Sequence, residues 1–89
     1  MKLKCSFECI ELDKEIIGVP VGDGASKIHG VLKLNNEGRE ILNLLSEETT
    51  EEEIVLSLSN NYENTKSDLR KKVDHFISKL RLANLLDEQ

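Results

Sequence analysis

Aromatic side chains are scarce in this chain: Phe7, Tyr62 and Phe76 stand without a single tryptophan. Any core must therefore be built from aliphatic residues. Cysteine is nearly absent as well, and Cys5 and Cys9 lie four positions apart, on one face of an extended strand. Two strand steps are too long for a disulfide, whose Cα atoms usually lie within about 7 Å. No second cysteine pair and no His-x-x-x-His completes a zinc site, so the expectation is two reduced thiols packed in a sheet. No stretch approaches the roughly 18 apolar residues of a membrane span. The start of the chain, Met1-Lys2-Leu3-Lys4-Cys5, lacks the apolar segment of a secretory signal. The resulting expectation is a cytoplasmic protein with no membrane partner.

The 89 residues accommodate one domain, residues 1–89, with a modest core. Twelve basic against 17 acidic residues leave a net charge of −5, which argues against indiscriminate nucleic-acid binding.

Hydrophobic patterning divides the chain. Leu3, Cys5, Phe7 and Cys9 alternate as in a half-buried strand, Asp13-Lys14 forms a turn, and Ile17, Val19 and Val21 alternate in a second strand. Pro20 cannot donate to a ladder and is placed at the frayed end of that strand. Gly22-Asp23-Gly24-Ala25-Ser26 reads as a loop. A third strand runs from Ile28 to Leu34, with Ile28, Gly30, Leu32 and Leu34 on one face and His29, Val31 and Lys33 on the other.

The remainder reads as three helices. Asn35 or Asn36 caps the first, whose stripe is Ile41, Leu42, Leu44 and Leu45. Gly38 in its first turn permits a close approach. Thr50 to Glu53 is a capping box for the second helix, with Ile54, Val55 and Leu58 buried. Thr65 or Ser67 opens the third, where Leu69, Val73, Phe76 and Leu80 form one face, and Asn84 ends it in a left-handed conformation. Leu85 and Leu86 fold back onto the core. Three strands followed by three helices define an α+β domain with an antiparallel sheet.

Charge is unevenly distributed. Residues 36–63 carry Arg39 against eight glutamates, net −7, whereas residues 64–82 carry six cations against Asp68 and Asp74, net +4. At about 100° per residue, Ile77 falls on one shoulder of the third helix with Lys66, Arg70 and Arg81, and Asp74 just beyond. That shoulder is the expected apolar and cationic binding wall, and its charge favours an acidic ligand. The opposite shoulder carries Lys72 and Lys79.

Catalytic machinery is not evident. His29 and His75 have no sequence-local partner that builds a triad, and Gly22-Asp23-Gly24 matches neither phosphate-loop pattern. Glu51-Glu52-Glu53 is explained by the helix N-terminus. The chain is expected to be no enzyme on its own and to hold no cofactor or metal.

Ile17-x-Val19-Pro20-Val21-Gly22, Gly30-Val31-Leu32-Lys33-Leu34-Asn35, Gly38, Ile41, Leu44-Leu45, Thr50, Glu53-Ile54, Leu58 and Tyr62 together resemble the PqqD family, as do Val73-x-x-Phe76-Ile77-x-x-Leu80 and Leu85-Leu86. The resemblance spans residues 15–86. It departs at Asn84, where the family often has glycine, and at Glu48-Thr49, where glycine often precedes the threonine of the second helix.

The resemblance implies a winged-helix-like, non-catalytic domain that binds the leader segment of a ribosomally made precursor peptide and passes it to a modifying enzyme, commonly a radical SAM protein. It implies a cleft between the third strand and the third helix. The expected peptide-binding residues are Ile28, His29, Gly30, Val31, Leu32, Lys33 and Leu34 on the strand. On the helix they are Lys66, Leu69, Arg70, Val73, Asp74, Ile77 and Arg81. The sequence alone also admits a winged-helix DNA-binding regulator, opposed by the glutamates opening the second helix, and a structural subunit of a partner enzyme. An open strand edge also allows two copies to pair as a homodimer.

Overall fold

The computed structural model describes residues 1–22 and 30–88. In chain order it contains β1 (Lys2–Leu3), β2 (Ser6–Leu12), β3 (Glu15–Val21), β4 (Leu32–Leu34), α1 (Asn36–Leu44), α2 (Glu51–Ser59), α3 (Lys66–Leu82) and β5 (Leu86–Asp87). Strands β2, β3 and β4 form one antiparallel sheet in that order, and β1 pairs with β5 in a second, two-stranded sheet. The α+β class and a three-stranded antiparallel sheet followed by three helices are those expected; β1 and β5, the latter after α3, add a second small sheet. Among the described residues, no helix is long and apolar enough to cross a membrane.

The first expected strand is split. Leu3 pairs with Leu86 in β1–β5, the chain bends at Lys4 and Cys5, and β2 then begins. The backbone N–H of Leu3 donates to Leu45 O at 2.9 Å and that of Lys4 to Leu85 O at 2.9 Å. These bonds lock β1 between the end of α1 and the C-terminal strand. Cys5 is buried in the bend rather than the sheet, and Cys9 in β2 is exposed; both are free thiols. Burial pushes the Cys5 thiol pKa up, which disfavours the reactive thiolate.

Asp13 and Lys14 join β2 to β3 with φ of 49° and 69°. Two consecutive left-handed residues make the tight turn whose twist matches a hairpin. On β3, Gly18 faces α1: a methyl group built there would lie 3.3 Å from Leu42 Cδ1 and 3.2 Å from Leu34 Cδ1. Ile16, two positions away, is buried, so Ile16 and Gly18 form the inward row. Ile17, Val19 and Val21, the alternating set of the sequence, belong to the outward row with Ile10 and Leu12 of β2. Adjacent isoleucines at 16 and 17 satisfy either phase of alternation, and close approach of Leu42 to a side-chain-free position selects this one. Pro20 lies opposite Phe7, past Gly18, where β4 pairing stops, so its missing N–H takes no bond from β4.

Each helix starts at a side-chain cap. Asn35 Oδ1 accepts from Gly38 N at 2.7 Å, Thr50 Oγ1 from Glu53 N at 3.2 Å and Thr65 Oγ1 from Asp68 N at 3.2 Å. Each cap typically contributes about 1 kcal/mol. Glu53 completes its box through the neighbouring hydroxyl, since Thr49 Oγ1 donates to Glu53 Oε2 at 2.9 Å. Asn84 takes φ of 59° after α3, and Leu85 N then donates to Leu80 O at 3.0 Å. That reversal returns Leu85 and Leu86 to the core.

The core joins Ile41, Leu42 and Leu45 of α1, Ile54, Val55 and Leu58 of α2, and Leu69, Val73, Ile77 and Leu80 of α3. It is aliphatic, as the scarcity of aromatics requires. Phe7, Tyr62 and Phe76 sit at its margin.

Candidate functional site

β4 is an edge strand: β3 covers one side of it, and no other strand among the described residues pairs with the other. An uncovered edge is a template for an additional strand. Leu32 and Leu34 turn inward and are half-buried, while Lys33 points outward and is exposed. β4 is shorter than the expected strand. Gly30, at φ of 89°, and Val31 precede it as exposed non-strand residues, and Ile28 and His29 lie outside the described residues.

The space beside β4 is bounded by α1 and α3. A methyl group built on Gly38 would stand 3.1 Å from Phe76 Cε2 and 3.3 Å from Leu34 Cδ2. Gly38 thus forms a floor on which a side chain from β4 and a side chain from α3 converge. One residue earlier, Glu37 Oε1 accepts from Lys72 Nζ at 3.3 Å, tying the first turn of α1 to α3. Leu34 on one side and Phe76 with Lys72 on the other flank the buried Gly38. A shallow hollow of about 380 Å³, lined by Lys14, Ile16, Lys33, Leu34, Asn35 and Asn36, opens at the end of β4.

The helix residues expected from sequence are placed differently. Leu69, Val73 and Ile77 are each 0% exposed and belong to the core. Ile77 therefore offers no accessible shoulder; the partly accessible apolar side chain of α3 at this level is Phe76, its neighbour, half-buried and rotated by about 100°. Arg70 and Arg81 turn to α2, Arg70 Nη2 lying 2.8 Å from Glu52 Oε1 and Arg81 Nη2 3.9 Å from Glu51 Oε1. Arg81 also donates to Glu88 from Nε and Nη2 at 3.0 and 2.8 Å. That hydrogen bond, more than the charge alone, holds the Glu88 carboxyl below the ordinary glutamate range. Lys66 and Asp74 are exposed. The acidic start of α2 attracts one cationic shoulder of α3, which leaves the other shoulder facing β4. Sequence reasoning missed Glu37, Lys72 and Phe76 as a group. The available signal was Gly38, since a glycine in a first helical turn asks which side chain needs the space.

A broader hollow of about 1240 Å³ lies under β2, lined among others by Phe7, Cys9, Arg39, Asn43 and Tyr62. It contains none of the residues expected from sequence. Burial, reinforced by Glu40, raises the Tyr62 phenol pKa and keeps the hydroxyl protonated.

The fold is a small α+β domain in which β4, unpaired on one side among the described residues, lies beside α1 and the Phe76 side of α3. The chain belongs to the PqqD family: the family described as "Coenzyme PQQ synthesis protein D (PqqD)" matches residues 22–86. A comparison with curated protein sequences found no match. Among solved structures, one described as "TbiB1 in Complex with the TbiA(beta) Leader Peptide" is similar at 22% identity with a TM-score of 0.71. That similarity covers 100% of this chain and 98% of the other.

Proposed function

We propose that this domain is a non-catalytic recognition element. It binds the leader segment of a ribosomally synthesised precursor peptide and presents it to a modifying enzyme. The observation that carries the reading is the edge of β4, unpaired among the described residues, beside the meeting point of Leu34, Gly38 and Phe76. An extended peptide added to β4 satisfies backbone groups that the edge leaves unpaired, and alternate side chains enter the cleft. Membership of the PqqD family supports this, as does the likeness to a structure described as a leader-peptide complex. The enzyme served is of the radical SAM type, which is what the family resemblance implies, and the site of action is the cytoplasm. β2, the opposite sheet edge, is where a second copy would pair if a homodimer forms, and sedimentation at rising concentration tests that.

The primary test is an NMR titration of labelled protein with leader peptides encoded beside its gene. The reading predicts shifts at Gly30–Leu34, Glu37, Gly38, Lys72 and Phe76, with Arg70 and Arg81 largely unmoved. Saturating peptide that leaves Leu32–Leu34 and Phe76 unmoved removes the reading.

A further inference from the structure

The cations of α3 are sorted by shoulder. Arg70 and Arg81 are engaged by Glu52, Glu51 and Glu88 on the side away from β4. On the other shoulder, Lys72, Phe76 and Lys79 follow at spacings of four and three, which on a helix is one stripe. Phe76 and Lys72 meet the first turn of α1, so this stripe faces the cleft. Lys79 is exposed and has no ion-pair partner among the described residues. Glu37 is the one carboxylate among them paired with the stripe, and its bond to Lys72 is half open, with 47% of the lysine side chain exposed. Lys72 is thus occupied, and Lys79 is the cation of the stripe left for a ligand carboxylate.

We infer that the cleft selects an acidic peptide, in which an apolar side chain seats against Leu34, Gly38 and Phe76 and a carboxylate two residues away is held by Lys79. The inference rests on the peptide-binding reading and names the charge of the occupant. The spacing follows from geometry. A strand paired with β4 presents same-face side chains about 7 Å apart. Lys72 and Lys79 each lie about one helical turn from Phe76, roughly 5 Å. The flexible lysine stem spans the difference. Of the acid in residues 36–63, Glu51 and Glu52 are directed at the opposite shoulder, and Glu37 is neutralised by its pairing with Lys72.

The test uses the full chain and two synthetic probes: the leader peptide encoded beside its gene, and the same peptide with each Asp and Glu replaced by Asn and Gln. The acidic probe is expected to bind about tenfold more tightly, with an advantage that falls as salt rises. Lys79→Gln should erase most of that advantage while leaving affinity for the amide probe unchanged, and Lys66→Gln should change neither. Lys79→Gln is a surface change, and its amide spectrum checks that the fold is retained. Equal affinity of both probes, with shifts at Leu34 and Phe76, overturns the charge inference and leaves peptide binding standing. Loss of the advantage in Lys66→Gln but not Lys79→Gln assigns the charge to the other shoulder and overturns it as well. Absence of any shift with either probe sinks both readings.

Discussion

Gly38 and Phe76 set the distance between α1 and α3, because a methyl group on Gly38 would stand 3.1 Å from the Phe76 ring. The same methyl would lie 3.2 Å from Asn35 Oδ1, the cap acceptor, and 3.3 Å from Leu34. Alanine is the better helix former by about 1 kcal/mol, yet three tight contacts at once oppose it, and crowding of this kind costs about 1–3 kcal/mol. Gly38→Ala is therefore expected to lower stability by about 1 kcal/mol and to weaken peptide binding. Urea unfolding decides the sign: a gain in stability would mean that Phe76 swings aside freely.

Neighbouring residues on α3 should separate stability from binding. Ile77 is fully buried, and Ile77→Ala should cost about 2–5 kcal/mol. Phe76 is half-buried at the margin of the core, so Phe76→Leu should cost less while reducing peptide affinity. Paired unfolding and titration curves check this, and equal effects of the two changes on both curves would contradict the placement of the cleft.

The hairpin turn places a lysine at φ of 69°. A left-handed conformation costs a non-glycine residue roughly 1 kcal/mol, and Asp-Gly is the favoured pair for this turn. Lys14→Gly should raise stability by about 0.5 kcal/mol, visible as a higher urea midpoint with an unchanged slope.

Arg81 and Glu88 give a pH signature. The Glu88 pKa is lowered in the folded protein, first by the Arg81 hydrogen bond. The pair's contribution is therefore present above the unfolded glutamate value and is lost as pH falls through the lower folded one. Carboxyl-carbon NMR should find Glu88 titrating below the ordinary glutamate range, and Arg81→Gln should return it there. An unchanged midpoint in Arg81→Gln would assign the shift to another group.

What the sequence discloses here is local, and what it conceals depends on partners distant in the chain. Asn35, Thr50 and Thr65 cap their helices because short polar side chains beside an apolar stripe have few other roles. Asp13-Lys14 is equally legible as a turn. Ile16-Ile17 and Phe76-Ile77 are ambiguous for one reason: two adjacent apolar residues satisfy two phases of the same period, and the choice falls to Leu42 and Gly38, which pack from elsewhere. The pairing of the arginine shoulder was not legible because the carboxylates that engage it belong to α2 and to the segment after β5. The pairing of Lys2-Leu3 with Leu86-Asp87 joins the two ends of the chain and leaves no local trace.

β3 carries apolar residues on both faces, Ile16 inside and Ile17, Val19 and Val21 outside. A strand of that composition receives little guidance from polarity about which neighbour to face, because sliding by one residue exchanges isoleucine for isoleucine. Correct pairing of the hairpin then depends on its two-residue turn and on the notch at Gly18 that admits Leu42. Lengthening the turn by one residue, or filling the notch, would thus yield misaligned hairpins during folding rather than simply a weaker native state.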